Sequence, residues 1–247
     1  MPGSVPDSAA GSASGSERGA LPTYLQISEA VARDIQSGRL LDGEKLPPER
    51  VMAAQFGVAV GTLRKALTRL ERHGQLRRVQ GSGNYVRQAA NTGSVYAFFR
   101  LELLQGGGLP RARLLSLDLL PKPPEAPDFG TAPDAFRFRR LRLLDDTPVA
   151  LEEIWLDRVA ARGLNPDDVS ESLYHLYQTR LGLLITRAED RIGLAPVPDW
   201  RVDQFGLPTE SPAGYIERIA FDQRNAPVEF SRNWFDTRVA RYVSRLK

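Results

Sequence analysis

Three short helical patterns followed by two strand patterns restrict the fold of residues 21–90 more than any other feature of this sequence. Each helical pattern repeats apolar residues at intervals of three or four and stops at a glycine, which predicts short amphipathic helices. The helices are predicted to begin near Thr23, near Leu46 and shortly after Gly57. The strand patterns, 75–78 and 84–87, flank a glycine turn and predict a β-hairpin.

The third helical pattern has one apolar and one polar face. The apolar face comprises Leu63, Ala66, Leu67 and Leu70. Three helices followed by a hairpin are the layout of a winged helix-turn-helix, whose third helix enters the major groove of DNA. The alternative is an ordinary solvated helix, which explains the apolar face as core but does not explain the ordered glycines and the hairpin.

Charge is unevenly distributed along the chain. Residues 21–90 contain 11 Lys or Arg and 6 Asp or Glu, whereas the formal net charge of all 247 residues is only +3. A basic segment of this kind favours a polyanionic partner, and the near-neutral remainder requires another explanation.

Several classes of protein are disfavoured by composition. The chain has no cysteine and only two histidines, His73 and His175, in different segments, so we expect no metal, no cofactor and no catalytic residue. Residues 1–20 are rich in Gly, Ser, Ala and Pro and are predicted to form a disordered tail rather than a secretory signal. No apolar run approaches the roughly 18–20 residues that span a bilayer, so a cytoplasmic protein without membrane attachment is expected.

The motifs of residues 24–86 resemble the DNA-binding domain of the GntR family of bacterial transcription regulators. They include Leu46-Pro47-x-Glu49-Arg50, Phe56-Gly57-Val58, Thr62-Leu63-Arg64-x-Ala66-Leu67 and Gly81-x-Gly83, in unbroken order. The resemblance implies a homodimer that binds double-stranded operator DNA. It places the DNA contacts at the second helix, the third helix and the hairpin, at Arg50, Val60, Gly61, Thr62, Arg64, Lys65, Gln80, Gly81 and Gly83.

The start of the third helix departs from the family pattern. Ala59 and Val60 stand where the family usually has Ser or Thr followed by Arg. A missing hydroxyl cap costs about 0.5–2 kcal/mol, and a missing bidentate arginine removes about 1–3 kcal/mol of base discrimination. We therefore expect Val60 to contact a thymine methyl, and Thr62 or Lys65 to hydrogen-bond to bases.

The second half of the chain is predicted to be an α+β domain with an antiparallel sheet. Strand patterns occupy 112–120, 136–144, 149–156, 185–194, 215–222 and 228–235, with helices at 170–182 and 199–205. The predicted organisation is a tail over 1–20, a winged helix-turn-helix over 21–88, a linker over 89–96 and a second domain over 97–247.

An internal repeat and four charged strand residues mark this second domain. The segments 148–157 and 227–236 share Pro, Val, Trp and Asp at identical offsets, which predicts two similar hairpins unless the match is a coincidence. Arg140, Arg142, Glu152 and Glu229 interrupt apolar strands. Because unpaired buried charges are costly, these side chains either form a cross-strand ion-pair ladder or line a pocket for a small polar ligand.

The order of these motifs resembles the UTRA effector-binding domain of HutC-type GntR regulators, whose fold is similar to that of chorismate lyase. The resemblance implies an effector pocket lined by Arg140, Arg142, Glu152, Ser172, Tyr174 and Glu229, with Phe99, Arg100 and Asn233 as further candidates. The two arginines favour an anionic effector.

These observations predict a transcription regulator, expected to be a repressor, whose operator affinity depends on a small-molecule effector. Two alternatives remain open from the sequence. One is a lyase-like enzyme, although no nucleophile–base pair can be assembled. The other is a constitutive DNA-binding protein whose second domain only dimerises.

Overall fold

The computed structural model describes residues 22–87, 98–169 and 172–245. The predicted tail and the predicted linker over 89–96 lie outside the described residues. Within the described part of the chain, none of the helices combines the length and the apolar character needed to cross a membrane.

The N-terminal module has the predicted three helices and hairpin. Its helices are α1 (Thr23–Gln36), α2 (Glu49–Gln55) and α3 (Val60–Arg72), and its hairpin is β1 (Leu76–Val79) with β2 (Gly83–Val86). The apolar stripes predicted from the sequence meet in one core that includes Ile27, Val31, Ile35, Leu63, Leu67 and Leu70. The helix α2 begins later than predicted because two consecutive prolines keep the preceding residues out of the helical conformation.

The C-terminal module is built on the predicted antiparallel sheet. Its long strands are β4 (Pro110–Pro121), β5 (Asp134–Leu144), β6 (Thr147–Asp157), β7 (Arg187–Pro196), β8 (Pro212–Phe221) and β9 (Pro227–Phe235). They are arranged in the order β4-β5-β6-β9-β8-β7. Two shorter strands, β3 (Leu101–Leu103) and β10 (Ala240–Tyr242), form a separate antiparallel ribbon that sequence periodicity did not reveal.

The internal repeat corresponds to the hairpins β5–β6 and β8–β9, which meet through β6 and β9 at the centre of the sheet. Glu153 and Arg232 occupy the same position in the two repeated segments, and they face each other in register. The register also makes Arg140 of the first hairpin equivalent to Arg218 of the second, because their opposite residues, Glu152 and Ser231, are equivalent. The sheet is therefore pseudo-symmetric about its central strand pair.

Both helices predicted in the second half required correction. The predicted helix over 170–182 is the short helix α4 (Leu173–Leu176) continued by a π-helical segment (Tyr177–Leu181), and Gly182 ends it with a φ of 62°. The helix predicted over 199–205 is wrong, because this segment consists of turns. Its apolar residues pack instead on the sheet, where Phe205 is fully buried and Trp200 contacts Trp234 edge-on.

Candidate functional site

The residues predicted to contact DNA lie on the start of α2, on α3 and at the hairpin. Arg50, Arg64 and Lys65 are exposed, and a Cβ placed on Gly61 would meet open space. A groove of about 770 Å³ separates the start of α2 from the hairpin, and Gln80, Gly81 and Gly83 belong to its lining. Gly81 and Gly83 have φ values of 73° and 127°, which favour glycine and keep the tip of the hairpin free of side-chain bulk.

Glu49 connects the three parts of this surface. Its carboxylate accepts a hydrogen bond from Nε of Arg64 at 2.6 Å, and it lies 3.7 Å from Nη2 of Arg78 on β1. Although both arginines are more than half exposed, the shared carboxylate restricts where their guanidinium groups point. Glu49 belongs to the motif seen in the sequence, but its role as a positioning residue required the structure.

The first turn of α3 lacks a side-chain cap, as predicted. Ala59 is the capping residue, and no side chain of the described residues caps the backbone N–H groups at this end. Val60 is half-buried and packs against the core of the module, so only part of its side chain faces outward. Of the three readers proposed from the sequence, Lys65 is exposed and Thr62 is half-buried.

In the C-terminal module, one face of the sheet carries those predicted effector residues that lie on strands. Cross-strand pairing places Arg140 beside Glu152 and Glu152 beside Asn233. Arg140 donates to Oε2 of Glu152 from Nε at 2.8 Å and from Nη2 at 2.5 Å, and both side chains are buried. Burial acts to raise the pKa of Glu152, but the charges of Arg140 and Arg142 outweigh burial and hold this pKa below its ordinary range.

Glu229 is the second carboxyl group on this face, and its electrostatic environment differs from that of Glu152. It is 1% exposed, and Tyr174 of α4 donates a hydrogen bond to its Oε1 at 3.0 Å. Its other oxygen is also buried, and the hydroxyl of Tyr177 lies close enough to lower the pKa of Glu229. Burial raises the pKa of Glu229 to about 7, so the carboxyl group is close to half-protonated at neutral pH and can either donate or accept.

The remaining predicted effector residues make contacts other than with these two carboxyl groups. The guanidinium of Arg142 stacks on the ring of Phe99 at 4.5 Å, and Arg100 lies close enough to affect the titration of Asp190. Ser172 is buried, and its hydroxyl accepts a hydrogen bond from the backbone N–H of His175 at the start of α4. This hydrogen bond caps the helix.

The structure adds residues that the sequence did not predict. Arg218 of β8 donates two hydrogen bonds to Asp190 of β7, at 2.5 and 2.7 Å, and its charge also acts on Glu152 and Tyr174. Tyr242 of β10 donates to the same Asp190 at 2.7 Å. The signal in the sequence was the repeat, in which Arg218 lies on the strand before the second copy, as Arg140 does before the first.

The ion-pair ladder considered from the sequence accounts for part of this face. Arg140 pairs with Glu152, and Arg218 pairs with Asp190. Glu229, however, forms no ion pair within the described residues, and its polar neighbours are the hydroxyls of Tyr174 and Tyr177. Paired charges and a poorly paired, half-protonated carboxyl group thus occur side by side on one buried surface.

Comparison with known proteins identifies both modules. Residues 23–86 match the family model described as bacterial regulatory proteins of the gntR family, and residues 105–240 match the UTRA domain. The HTH-type transcriptional regulator SmoD of Agrobacterium fabrum is 52% identical over 229 residues, which cover 93% of this chain and 98% of SmoD. The HTH-type transcriptional repressor NagR of Bacillus subtilis is 26% identical over 86% of this chain and 90% of its own length.

Solved structures support the same architecture. The structure of YydK from Bacillus subtilis is 25% identical, with a TM-score of 0.52 over 92% of this chain and all of that chain. The ligand-binding domain of a GntR-family regulator from Bordetella bronchiseptica has a TM-score of 0.54 at 22% identity, over 60% of this chain and 96% of that domain. The enzyme alternative is wrong because these relatives and the family are transcription regulators. The chain therefore belongs to the GntR family of bacterial regulators, as a DNA-binding transcription regulator whose C-terminal module is a UTRA effector-binding domain.

Proposed function

We propose that the protein binds operator DNA through the surface formed by α2, α3 and the hairpin, and that it acts as a repressor. The observation that carries this proposal is the exposed row of cations on α2 and α3, together with the open first turn of α3. Uncapped N–H groups at a helix N-terminus suit phosphate oxygens, and arginine and lysine side chains suit phosphates and bases. Repression is supported by the name of the relative NagR.

The division between phosphate binding and base reading can be tested at Val60. We expect Val60→Arg to change which operator sequence is preferred. The ratio of affinities for two sequences should change by roughly five- to a hundredfold, since a bidentate arginine contributes about 1–3 kcal/mol of base discrimination. Affinity for random DNA should change much less. Competition mobility shifts with the DNA upstream of the gene, at two salt concentrations, measure both quantities, and affinity should fall steeply with salt.

The matched control for this test is Leu104→Arg, which adds the same charge at an exposed site in the other module. It should leave the sequence preference unchanged. If Val60→Arg also leaves the preference unchanged, the first turn of α3 does not read bases. If the unmodified protein gives no salt-dependent shift of its upstream DNA, the proposed DNA surface is wrong.

We further propose that the effector is a small anion that also carries hydroxyl or amine groups. Arg142 and Arg218 supply positive charge on the buried face, and Arg142 presents its guanidinium beside the ring of Phe99. Glu229 supplies a group that can accept a hydrogen bond from a ligand hydroxyl or amine. Guanidinium groups match carboxylate and phosphate geometry. A sugar phosphate or a hydroxy acid would therefore offer its anionic group to the arginines and a hydroxyl group to Glu229.

A thermal-shift screen of sugar phosphates, amino acids and organic acids tests the effector proposal. A ligand at a hundred times its Kd should stabilise the fold by about 2.7 kcal/mol, or by roughly 5–10 °C in Tm. Arg142→Gln should abolish the shift, and Arg111→Gln, at an exposed arginine of β4, should retain it. A complete absence of shifts would favour a module that only dimerises.

The dimer is proposed to form through the edge strand β7. Its outer edge has no partner strand within the described residues, and Ile192 and Leu194 on it are 57% and 77% exposed. Unpaired edges with exposed apolar side chains readily pair with another chain. A second copy related by a two-fold axis would bury both side chains and pair the free backbone groups of β7.

Sedimentation velocity of Leu194→Lys tests this interface. The substitution should shift the protein from dimer to monomer, because it places a charge at the centre of an apolar contact. Leu119→Lys on β4, the opposite edge of the sheet, is the matched control and should remain dimeric. An unchanged dimer in Leu194→Lys would assign dimerisation to another surface.

A further inference from the structure

The sheet face that carries Arg140, Glu152, Arg218 and Glu229 is called the effector face. The ribbon β3–β10 lies between this face and the N-terminal module. Tyr242, on β10, reaches the sheet and donates to Asp190 at 2.7 Å. Glu102, on β3, forms a two-point ion pair with Arg245 at 2.6 and 3.0 Å. In the register of the ribbon Tyr242 is opposite Leu101 and Glu102 is opposite Arg241, so Tyr242 and Glu102 point to opposite faces.

Helix α1 contacts the turn that follows this ribbon. Arg33 is 3% exposed and donates from Nη2 to the carbonyl of Gly108 at 3.0 Å. The guanidinium of Arg39 lies against Gly107, where an added Cβ would come within 2.3 Å of Nη1. Gly107 and Gly108 have φ values of 70° and 96°, so the backbone conformation of this turn favours glycine.

Electrostatics connect the same groups. The guanidinium of Arg245, which hydrogen-bonds to Glu102, lowers the pKa of this carboxyl group, and Arg39 and Arg33 lower it further. On the other face, Asp190 is shared between Tyr242 and Arg218, and Arg218 acts on Glu152 and Tyr174 of the effector face. Hydrogen bonds thus join the effector face to the ribbon through Asp190 and Tyr242, and they join the ribbon to α1 through the turn at Gly107 and Gly108.

The ribbon can respond to a change in its contacts, either with Asp190 of the sheet or with the turn that touches α1. Each of its strands has three residues, and a two-stranded ribbon of this size is marginally stable without contacts on its faces. A ligand anion that attracts Arg218 competes with Asp190 for the same guanidinium. Asp190 would then lose both hydrogen bonds from Arg218, which help to fix its position, and the side chain that anchors Tyr242 would be held less firmly.

We propose that Tyr242 and Asp190 are positioning residues that couple occupancy of the effector face to the seating of helix α1 on the turn Gly106–Gly108. This inference rests on the proposed function of the C-terminal face. We call the observed arrangement the seated state. In it Arg218 holds Asp190, and Asp190 in turn anchors Tyr242 of the ribbon. Arg33 of α1 and Arg39, which follows the helix, hold α1 on the turn. An anion bound to Arg218 favours the released state, and because the two states bind the anion differently, the ligand shifts their populations.

Hydrogen–deuterium exchange on the full-length, ligand-free protein tests the coupling. Tyr242→Phe should raise exchange in the ribbon and also in residues 33–40 and 104–108, by roughly tenfold, because a hydrogen bond to a charged group is lost. Asp190→Asn should produce the same pattern with the tyrosine intact. Exchange in β5 and β6 should stay unchanged, which a general loss of stability would not allow.

Tyr215→Phe is the matched control, because Tyr215 is also half-buried, with a pKa that burial raises to about 12 as in Tyr242, but lies beside Trp234 on the other face of the sheet. It should leave residues 33–40 unchanged. If Tyr242→Phe and Asp190→Asn both raise exchange in the ribbon but not in 33–40, the coupling is overturned.

A double-mutant cycle tests whether the coupling passes through the contact of Arg33 with the turn. In an Arg33→Met background, Tyr242→Phe should add little further exchange in 33–40, whereas fully additive effects would overturn the route through Arg33. This readout needs neither DNA nor effector, so it is separable from the proposed function. If no ligand shifts Tm but the variants still raise exchange in 33–40, the effector proposal alone is contradicted. If a ligand shifts Tm but the variants leave exchange in 33–40 unchanged, the coupling alone is contradicted.

Discussion

Glu152→Gln is expected to destabilise the C-terminal module by about 3–5 kcal/mol, because removing one partner of a buried ion pair leaves the other charge uncompensated. Glu152 is 9% exposed, and Arg140 and Arg142, at 4% and 3%, are more deeply buried. Both arginines lower its pKa against the effect of burial, so the carboxylate contributes to the charge balance of both guanidinium groups. Glutamine keeps the shape of the side chain and removes only the charge.

Urea titration followed by tryptophan fluorescence measures this loss. All three tryptophans, Trp155, Trp200 and Trp234, lie in the C-terminal module, so the signal reports its unfolding separately from the N-terminal module. The double variant Arg140→Met/Glu152→Leu should be more stable than Glu152→Gln, because it removes the pair together. Added sulfate should partly restore the stability of Glu152→Gln, because the charge left uncompensated by the substitution is positive. Equal stability of Glu152→Gln and the unmodified protein would show that the buried arginines find other partners.

Glu229→Gln is expected to stabilise the module at pH 8 and to leave it nearly unchanged at pH 5. Burial raises the pKa of Glu229 from 4.5 to about 7 in the folded chain. A carboxyl group with a raised folded pKa contributes stability that is fully present below pH 4.5 and is lost as pH rises through about 7. At pH 8 the unmodified protein therefore carries a penalty of about 3 kcal/mol that glutamine does not.

The same fluorescence titration at pH 5, 6, 7 and 8 checks this expectation. The stability difference between Glu229→Gln and the unmodified protein should grow through this range. Glu125→Gln is the control, because this carboxyl group is exposed and hydrogen bonds to its own backbone and to Arg232 lower its pKa, so the difference should not grow in the same direction. A difference that is independent of pH would mean that Glu229 is ionised throughout.

The features that sequence analysis predicted correctly depend on local periodicity. The three helices and the hairpin follow from apolar spacing and glycine stops over short segments. Arg140 and Arg142 were expected on one face because alternate residues of a strand share a face. Their pairing with β6 follows from the short turn that joins the two strands, which leaves few possible registers.

The features that were missed depend on contacts between distant segments. The triad of Arg218, Asp190 and Tyr242 requires the register of β7 against β8 and the docking of β10, neither of which is encoded by periodicity. The strands β3 and β10 are too short to give a pattern that can be recognised. The wrong helix over 199–205 has the opposite cause, because its apolar spacing satisfied a helical pattern while packing of Phe205 and Trp200 against the sheet determined the conformation.

The equivalence of Arg140 and Arg218 across the duplicated hairpins has a consequence for how ligand preference can change. The two arginines occupy matching positions, but one takes its carboxylate from the opposite strand of its own hairpin and the other takes it from β7. At the effector site that we propose, the charge available to a ligand is therefore set by the partner positions 152, 190 and 231 rather than by the arginines themselves. We expect that exchanging an acid and a small polar residue at those positions would alter the ligand preference of this protein, while the two guanidinium groups and the sheet that holds them stay the same.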